Sequence, residues 1–120
     1  MTGGKSATPY VPDAGHVVWL EFNPRRGHEQ AGRRPALVLS PADYNDKTSL
    51  CIVCPITNEV KGYPFEVPVG ANANVTGVVL SDHVKSLDWR ARKAEHKGMI
   101  EGSVVEEVRQ NIATLIGAPV

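Results

Sequence analysis

A mainly β fold closed by one C-terminal helix is the architecture that this chain predicts. Short apolar segments recur between Gly- and Pro-rich turns as far as residue 100, the pattern of many brief strands. After residue 103 the apolar period changes from two to between three and four, the signature of an amphipathic helix. The 120 residues are 42% hydrophobic and 22% charged, with 11 Gly and 9 Pro, which suits one globular core and leaves no room for a second. The expected organisation is a single domain over residues 10–117, with short tails at 1–9 and 118–120. Many short strands with Gly/Pro turns point to a small antiparallel barrel or sandwich.

The elements follow in order. Val17-Val-Trp-Leu-Glu-Phe22 reads as the first strand, and residues 23–34 as a turn-rich loop. Ala36-Leu-Val-Leu39 is a second strand, bounded by Pro35 and Pro41. Leu50-Cys-Ile-Val-Cys54 is apolar enough to be buried on both faces. Phe65-Glu-Val-Pro-Val69 alternates, but Pro68 lacks an N–H and suits an edge strand. Gly77-Val-Val-Leu80 and residues 84–87 follow, and residues 96–100 form a weaker candidate. Ser103-Val-Val-Glu106 has capping-box spacing at a helix start. Val104, Val105, Val108, Ile112, Leu115 and Ile116 then share one helical face. Gly117 supplies a left-handed stop, and Pro119 cannot continue the helix.

Charge is balanced, 13 basic against 13 acidic, but it is unevenly placed. Residues 24–34 hold Arg25, Arg26, Arg33 and Arg34 against Glu29 alone. Residues 85–97 hold Lys85, Arg90, Arg92, Lys93 and Lys97 against Asp88 and Glu95. If the two stretches meet in space they make a basic groove; if they do not, they are solvated loops. No apolar run approaches the roughly 18 residues of a membrane helix, and nothing behind Lys5 resembles a signal peptide. A cytoplasmic protein with no membrane partner is expected.

Several motif matches carry no chemistry. Cys51-Ile-Val-Cys54 matches C-x-x-C, but positions i and i+3 of a strand point to opposite faces, with Cα atoms about 10 Å apart. That exceeds the disulfide reach of ~7 Å, so buried, inert thiols are expected. Gly4-Lys5-Ser6 resembles the end of a phosphate loop but has no strand before it. The four His, at 16, 28, 83 and 96, show no metal-ligand spacing, so no metal and no cofactor are expected.

What remains is the loop Asn23-Pro-Arg-Arg-Gly-His-Glu-Gln-Ala-Gly-Arg-Arg-Pro35. Its one carboxylate among four guanidinium groups has its charged form favoured. This is either a structural ion pair or a site for phosphodiester chemistry, where a carboxylate takes a proton and cations stabilise developing charge.

An ordered set of motifs then resembles one family. Tyr10-Val-Pro-Asp13, Glu29-Gln-Ala-Gly32 with Arg34-Pro35, Leu39-Ser-Pro41, Tyr44-Asn45, Lys61-Gly-Tyr-Pro-Phe-Glu66, and Asp82-His-Val-Lys-Ser86 with Trp89-Arg-Ala-Arg92 keep the order, and nearly the spacing, of the MazF/PemK (Kid) toxins of bacterial toxin–antitoxin modules. The resemblance implies an SH3-like barrel with a small extra sheet and a C-terminal helix. It implies a homodimer that cleaves single-stranded mRNA without a metal and is held by a MazE-like antitoxin. It places Glu29 as general base, Arg34 as the phosphate-stabilising cation and Thr57 at the family's active-site hydroxyl. Arg25, Arg26, Gln30, Arg33, Asn45, Lys61 and Lys85 fall along the implied RNA groove. The sequence departs from the family pattern at His28, at Arg33 and in length around residues 71–74, so the cleavage sequence does not carry over. The implied reaction is attack of a ribose 2′-OH on the adjacent phosphorus, giving a 2′,3′-cyclic phosphate and a 5′-OH. The rival from another class is a CcdB-like toxin on the same fold, which inhibits DNA gyrase through protein contacts. RNA cleavage in EDTA separates the two.

Overall fold

The computed structural model describes residues 9–22, 32–71 and 74–119. Among the described residues are seven strands and two helices: β1 (His16–Glu21), β2 (Arg33–Val38), α1 (Ala42–Thr48), β3 (Leu50–Thr57), β4 (Glu66–Pro68), β5 (Val78–Leu80), β6 (Lys85–Asp88), β7 (Glu95–Met99) and α2 (Gly102–Ile116), with a 3-10 turn at Ser81–His83 between β5 and β6. All strand pairs are antiparallel, in the order β4-β5-β3-β2-β1-β7, with β6 added beside β3. Every predicted strand is found, and Pro68 lies on the outermost strand of that order, where a missing N–H is tolerated.

Strand β3 holds the sheet together by changing partners. Its first half pairs with β6, from Leu50↔Asp88 to Val53↔Lys85, and its end pairs with β5, at Ile56↔Val79 and Thr57↔Val78. Pro55 falls between these two pairings, so its missing N–H interrupts neither ladder. The end of β3 with β5 and β4 makes the small extra sheet implied by the family resemblance.

The expected two-sided burial of residues 50–54 holds only in part, because Leu50 and Ile52 of β3 are exposed, but the sheet packs a core on each face. On one, Val17, Leu37, Cys54, Ile56, Val67 and Val79 pack with Val105 and Val108 of α2. On the other, Val18, Leu20, Ala36, Val38, Cys51 and Val53 pack with Leu87 and Trp89. Cys51 and Cys54 thus lie on opposite faces, as expected, and both are buried free thiols. Burial pushes each thiol up to about 12, which keeps it unreactive. Among the described residues no helix is long and apolar enough to cross a membrane.

Three expectations change. Helix α2 starts at Gly102, one residue before the proposed capping Ser103, and no side chain caps its first turn. The backbone carbonyl of Glu101 instead accepts the N–H groups of Val104 and Val105. Its end is as predicted: Gly117 is left-handed at φ 76°. Strand β2 begins at Arg33, so Pro35 lies inside it, opposite Trp19, rather than at its border. Helix α1 was not visible in the sequence, because its seven residues are mostly polar and Asn45 is its only buried one.

Asn45 is the third correction. It is fully buried, so it cannot contact RNA. Its amide donates to the Pro12 carbonyl (2.8 Å) and the Ser40 carbonyl (3.0 Å), and its side-chain oxygen accepts the Ser40 hydroxyl (2.6 Å). Its own carbonyl accepts the Trp89 indole N–H at 2.9 Å. One side chain therefore ties residues 12 and 40 together beneath α1. Asn45→Ala would strand these buried groups, and chemical denaturation should show a loss of about 2–3 kcal/mol.

His16 makes a second testable contact. Its Nδ1 accepts the Tyr10 hydroxyl (2.9 Å) and the Asp13 backbone N–H (3.2 Å), and the His96 ring stands edge-on at 5.0 Å. Partial burial and the neighbouring His96 lower its pKa below the ordinary 6.5. The unfolded chain therefore binds a proton that the native state refuses, and stability rises with pH up to about 6.5 and is lost as pH falls below it. The melting temperature should fall between pH 7 and 5 less steeply in His16→Asn than in the parent chain.

Candidate active site

Helix α2 covers only one end of its sheet face. At the other end, Trp19 of β1 and Pro35 of β2 stand opposite each other and border an open cavity of about 430 Å³. Ile56, Thr57 and Asn58 at the end of β3 form one wall, and Asn74, Val75 and Thr76 form another. Arg33, Arg34 and Lys97 complete the lining. Three cations, two amides and two hydroxyls thus border the space, and no carboxylate does so among the described residues. Such a lining favours an anion.

Local structure explains each placement. Register pairs Ala36 with Pro55, and two positions further out Arg34 and Thr57 reach the same cavity from neighbouring strands. Thr57 is 5% exposed. Its hydroxyl oxygen accepts the Glu59 N–H at 3.0 Å, so its proton is available to a bound acceptor. Arg33 is held at the rim by Glu95 Oε1 (2.8 Å) and the Lys93 carbonyl (3.0 Å). The Lys97 ammonium lies 5.3 Å from the centroid of the Trp19 ring. The Thr76 hydroxyl donates to Asn58 Oδ1 at 2.9 Å and joins the two walls.

A smaller hollow of about 300 Å³ shares Thr57 with the cavity but has the opposite character. Glu59, Glu66 and Asp82 line it with Lys61, Tyr63 and His83. The Glu66 carboxylate accepts the backbone N–H groups of Lys61 and Gly62 at 2.9–3.2 Å, which fixes the turn before β4.

The sequence-predicted residues divide accordingly. Arg34 and Thr57 come together, with Arg33 beside them. Lys61 sits in the neighbouring acidic hollow. Lys85 lines neither space, its ammonium lying 5.6 Å from the centroid of the Phe22 ring. Glu29, Arg25, Arg26 and Gln30 lie outside the described residues. The two basic stretches meet only in part. Lys97 of the second joins Arg33 and Arg34 of the first. Arg90 instead pairs with Asp46 at 2.8 Å and lies over Trp89, and Arg92 donates to the Glu21 carbonyl. Trp19, Asn58, Asn74 and Thr76 were missed by sequence reasoning, and Lys97 was read only as a member of its basic stretch. Strand period places Trp19 on the face of Val17, but no sequence signal says that this end of the face is left open.

Gly77 sets the position of Thr57. Its φ is 105°, and a Cβ there would collide with the Thr57 carbonyl. Gly77→Ala should displace the end of β3, cutting activity at least tenfold with a lowered melting temperature, as steady-state rates and thermal melts would read.

The sequence profile of the PemK-like, MazF-like toxins of type II toxin–antitoxin systems matches residues 13–116. The chain is 48% identical over 108 residues to the endoribonuclease toxin MazF of Escherichia coli K12, covering 90% of this chain and 96% of that one. It is 33% identical to the endoribonuclease PemK of Escherichia coli, over 82% of this chain and 78% of the relative. The crystal structure of MazF from Deinococcus radiodurans superposes with a TM-score of 0.88 at 58% identity, covering 91% of this chain and 99% of that one. A MazE–MazF structure from the same organism gives 0.82 at 52% identity, over 92% of this chain and all of the other. These relatives give no support to the gyrase-inhibitor alternative. A match over nearly the whole domain, shared by fold and sequence, makes this chain a member of the PemK-like, MazF-like toxin family of type II toxin–antitoxin systems.

Proposed function

We propose that this endoribonuclease toxin cleaves single-stranded mRNA at short sequences, without a metal, by internal attack of a ribose 2′-OH. The observation that carries the reading is the meeting of Arg34 and Thr57 at one cation-lined cavity free of described carboxylates. Glu29 takes the 2′-OH proton. The oxygen attacks the adjacent phosphorus, and the 5′-oxygen leaves with a proton from solvent. A guanidinium stays charged near neutral pH, so Arg34 acts as a clamp on the non-bridging oxygens and not as an acid. Thr57 donates a hydrogen bond to the same phosphate. Preorganised donors of this kind stabilise charge where it develops.

Arg33 and Lys97 neutralise backbone phosphates at the rim, and Arg25, Arg26, Gln30, Lys61 and Lys85 extend the approach for RNA. The toxin acts as a homodimer in the cytoplasm, where mRNA is present. Its partner is a MazE-like antitoxin, a reading supported by the MazE–MazF structures of the Deinococcus relative. An acidic, extended antitoxin segment suits a basic groove and takes on its order only when bound.

Glu29→Gln and Arg34→Ala should each reduce cleavage on the order of 100-fold or more. Glu29→Gln should still bind RNA, since it removes a negative charge from a site for an anion. Cleavage by Glu29→Gln at the parent rate would remove the base assignment. RNA affinity should fall steeply with salt, and Lys97→Ala should flatten the log–log slope by about one. An affinity indifferent to salt would mean that the rim cations do not meet the backbone.

A further inference from the structure

Trp19 is the one aromatic side chain on the cavity lining among the described residues, and the cleavage reaction gives it no task. It is a tryptophan only partly buried at the border of the cavity, whereas Leu20, Leu37 and Ile56 of the same sheet are sealed in the core. Trp89 makes the contrast: it is 5% exposed and its N–H is held by the Asn45 carbonyl at 2.9 Å.

The surroundings of the Trp19 ring are specific. Pro35 and Glu95 flank it across the two neighbouring strands. Glu95 is itself engaged by Arg33 at 2.8 Å, which neutralises the carboxylate opposite Trp19 on the neighbouring strand. Over the ring lies the Lys97 ammonium, 5.3 Å from the centroid. No carboxylate within salt-bridge distance holds this cation among the described residues. A flat π surface under a cation, beside a cluster of groups suited to phosphate, has the chemistry of a nucleotide subsite. Aromatic rings stack bases of any sequence, and lysines follow the backbone.

Resting on the ribonuclease reading above, we infer that Trp19 is the platform for one nucleobase next to the scissile phosphate, with Lys97 as its exchangeable cover. When RNA enters, the base takes the ring face and the ammonium moves to a backbone phosphate. Lys97 therefore protects the indole in the free toxin and neutralises RNA in the complex. The base stacked on Trp19 helps fix the ribose whose 2′-OH must line up with phosphorus, so Trp19 is a positioning residue.

The test uses the full-length toxin and an RNA oligonucleotide carrying its cleavage site, with a 2′-deoxy sugar at the cut so that binding is read without cleavage. Abasic sugars are placed one at a time on either side of the scissile phosphate. In the parent protein one position should weaken binding about 5- to 100-fold through lost stacking. In Trp19→Ala that same position should cost nothing further, while the others keep their penalties. Trp19→Phe should restore part of the effect and Trp19→Leu none. 2-Aminopurine scanned through the same positions of the RNA reads stacking in the unaltered protein, so the test survives a Trp19 variant that fails to fold. Quenching on binding at a single position next to the cut supports the platform. Abasic penalties that are equal in parent and Trp19→Ala, or no protein-dependent 2-aminopurine quenching, would overturn it. So would Trp19→Ala binding RNA normally while losing affinity for an acidic antitoxin peptide, since the ring would then serve the partner. Failure of the parent protein to bind or cut RNA at all would instead overturn the ribonuclease reading, a separate outcome.

Discussion

Strand β3 must be apolar on both faces and must change partners halfway along, and the rest of the molecule is arranged around that requirement. Cys51 and Val53 fill one core while Cys54 and Ile56 fill the other. Its first half is tied to β6 and its last two residues to β5, so the strand carries the chain out of the main sheet into the small one. Thr57 is the last residue of this strand, fixed by its pairing with Val78 and by the close approach of the adjoining Gly77. Burial of the strand thus delivers a hydroxyl to a fixed point at the edge of the core.

Arg34 reaches the same point by a different route. Its strand begins at Arg33, whose guanidinium is fastened to Glu95 and to the Lys93 carbonyl across β1. Two consecutive arginines therefore border the cavity, and the first of them also anchors the strand end. α2 contributes by stopping short. It seals Val17 and Leu37 but leaves the Trp19 end of that face open, where an anion can enter. Charge segregation sharpens the site: the cavity has no described carboxylate, whereas the hollow beyond Thr57 holds Glu59, Glu66 and Asp82.

The strands and the last helix were legible because they follow from hydrophobic period, a property of neighbours in sequence. Pro68 at an edge, the opposed thiols and the left-handed Gly117 were legible for the same reason. Helix α1 was not, because it is mostly polar and is held by hydrogen bonds of one buried Asn45 to nearby Ser40 and to Pro12, which is remote in sequence. The capping box at Ser103 misled because its spacing is present but α2 already begins at Gly102. In the site, Arg34 and Thr57 were found through the ordered family motifs, not through composition. Trp19 was not found, and Lys97 was not singled out from its basic stretch, since their importance depends on where α2 ends and on a cross-strand contact. Charge runs were only half informative: Arg90 and Arg92 are engaged in structural contacts, and Lys97 alone of that stretch lines the cavity.

The central claim is that RNA supplies its own nucleophile and the protein supplies a base and a charge clamp. The most direct measurement is the chemistry of the cut ends, obtained in EDTA with an RNA oligonucleotide and with its twin bearing a single 2′-deoxy sugar at the cut. The account predicts a 2′,3′-cyclic phosphate and a 5′-OH from the first, and an uncut but bound second oligonucleotide. A 5′-phosphate product, or cleavage of the deoxy-substituted strand at the same position, would contradict it.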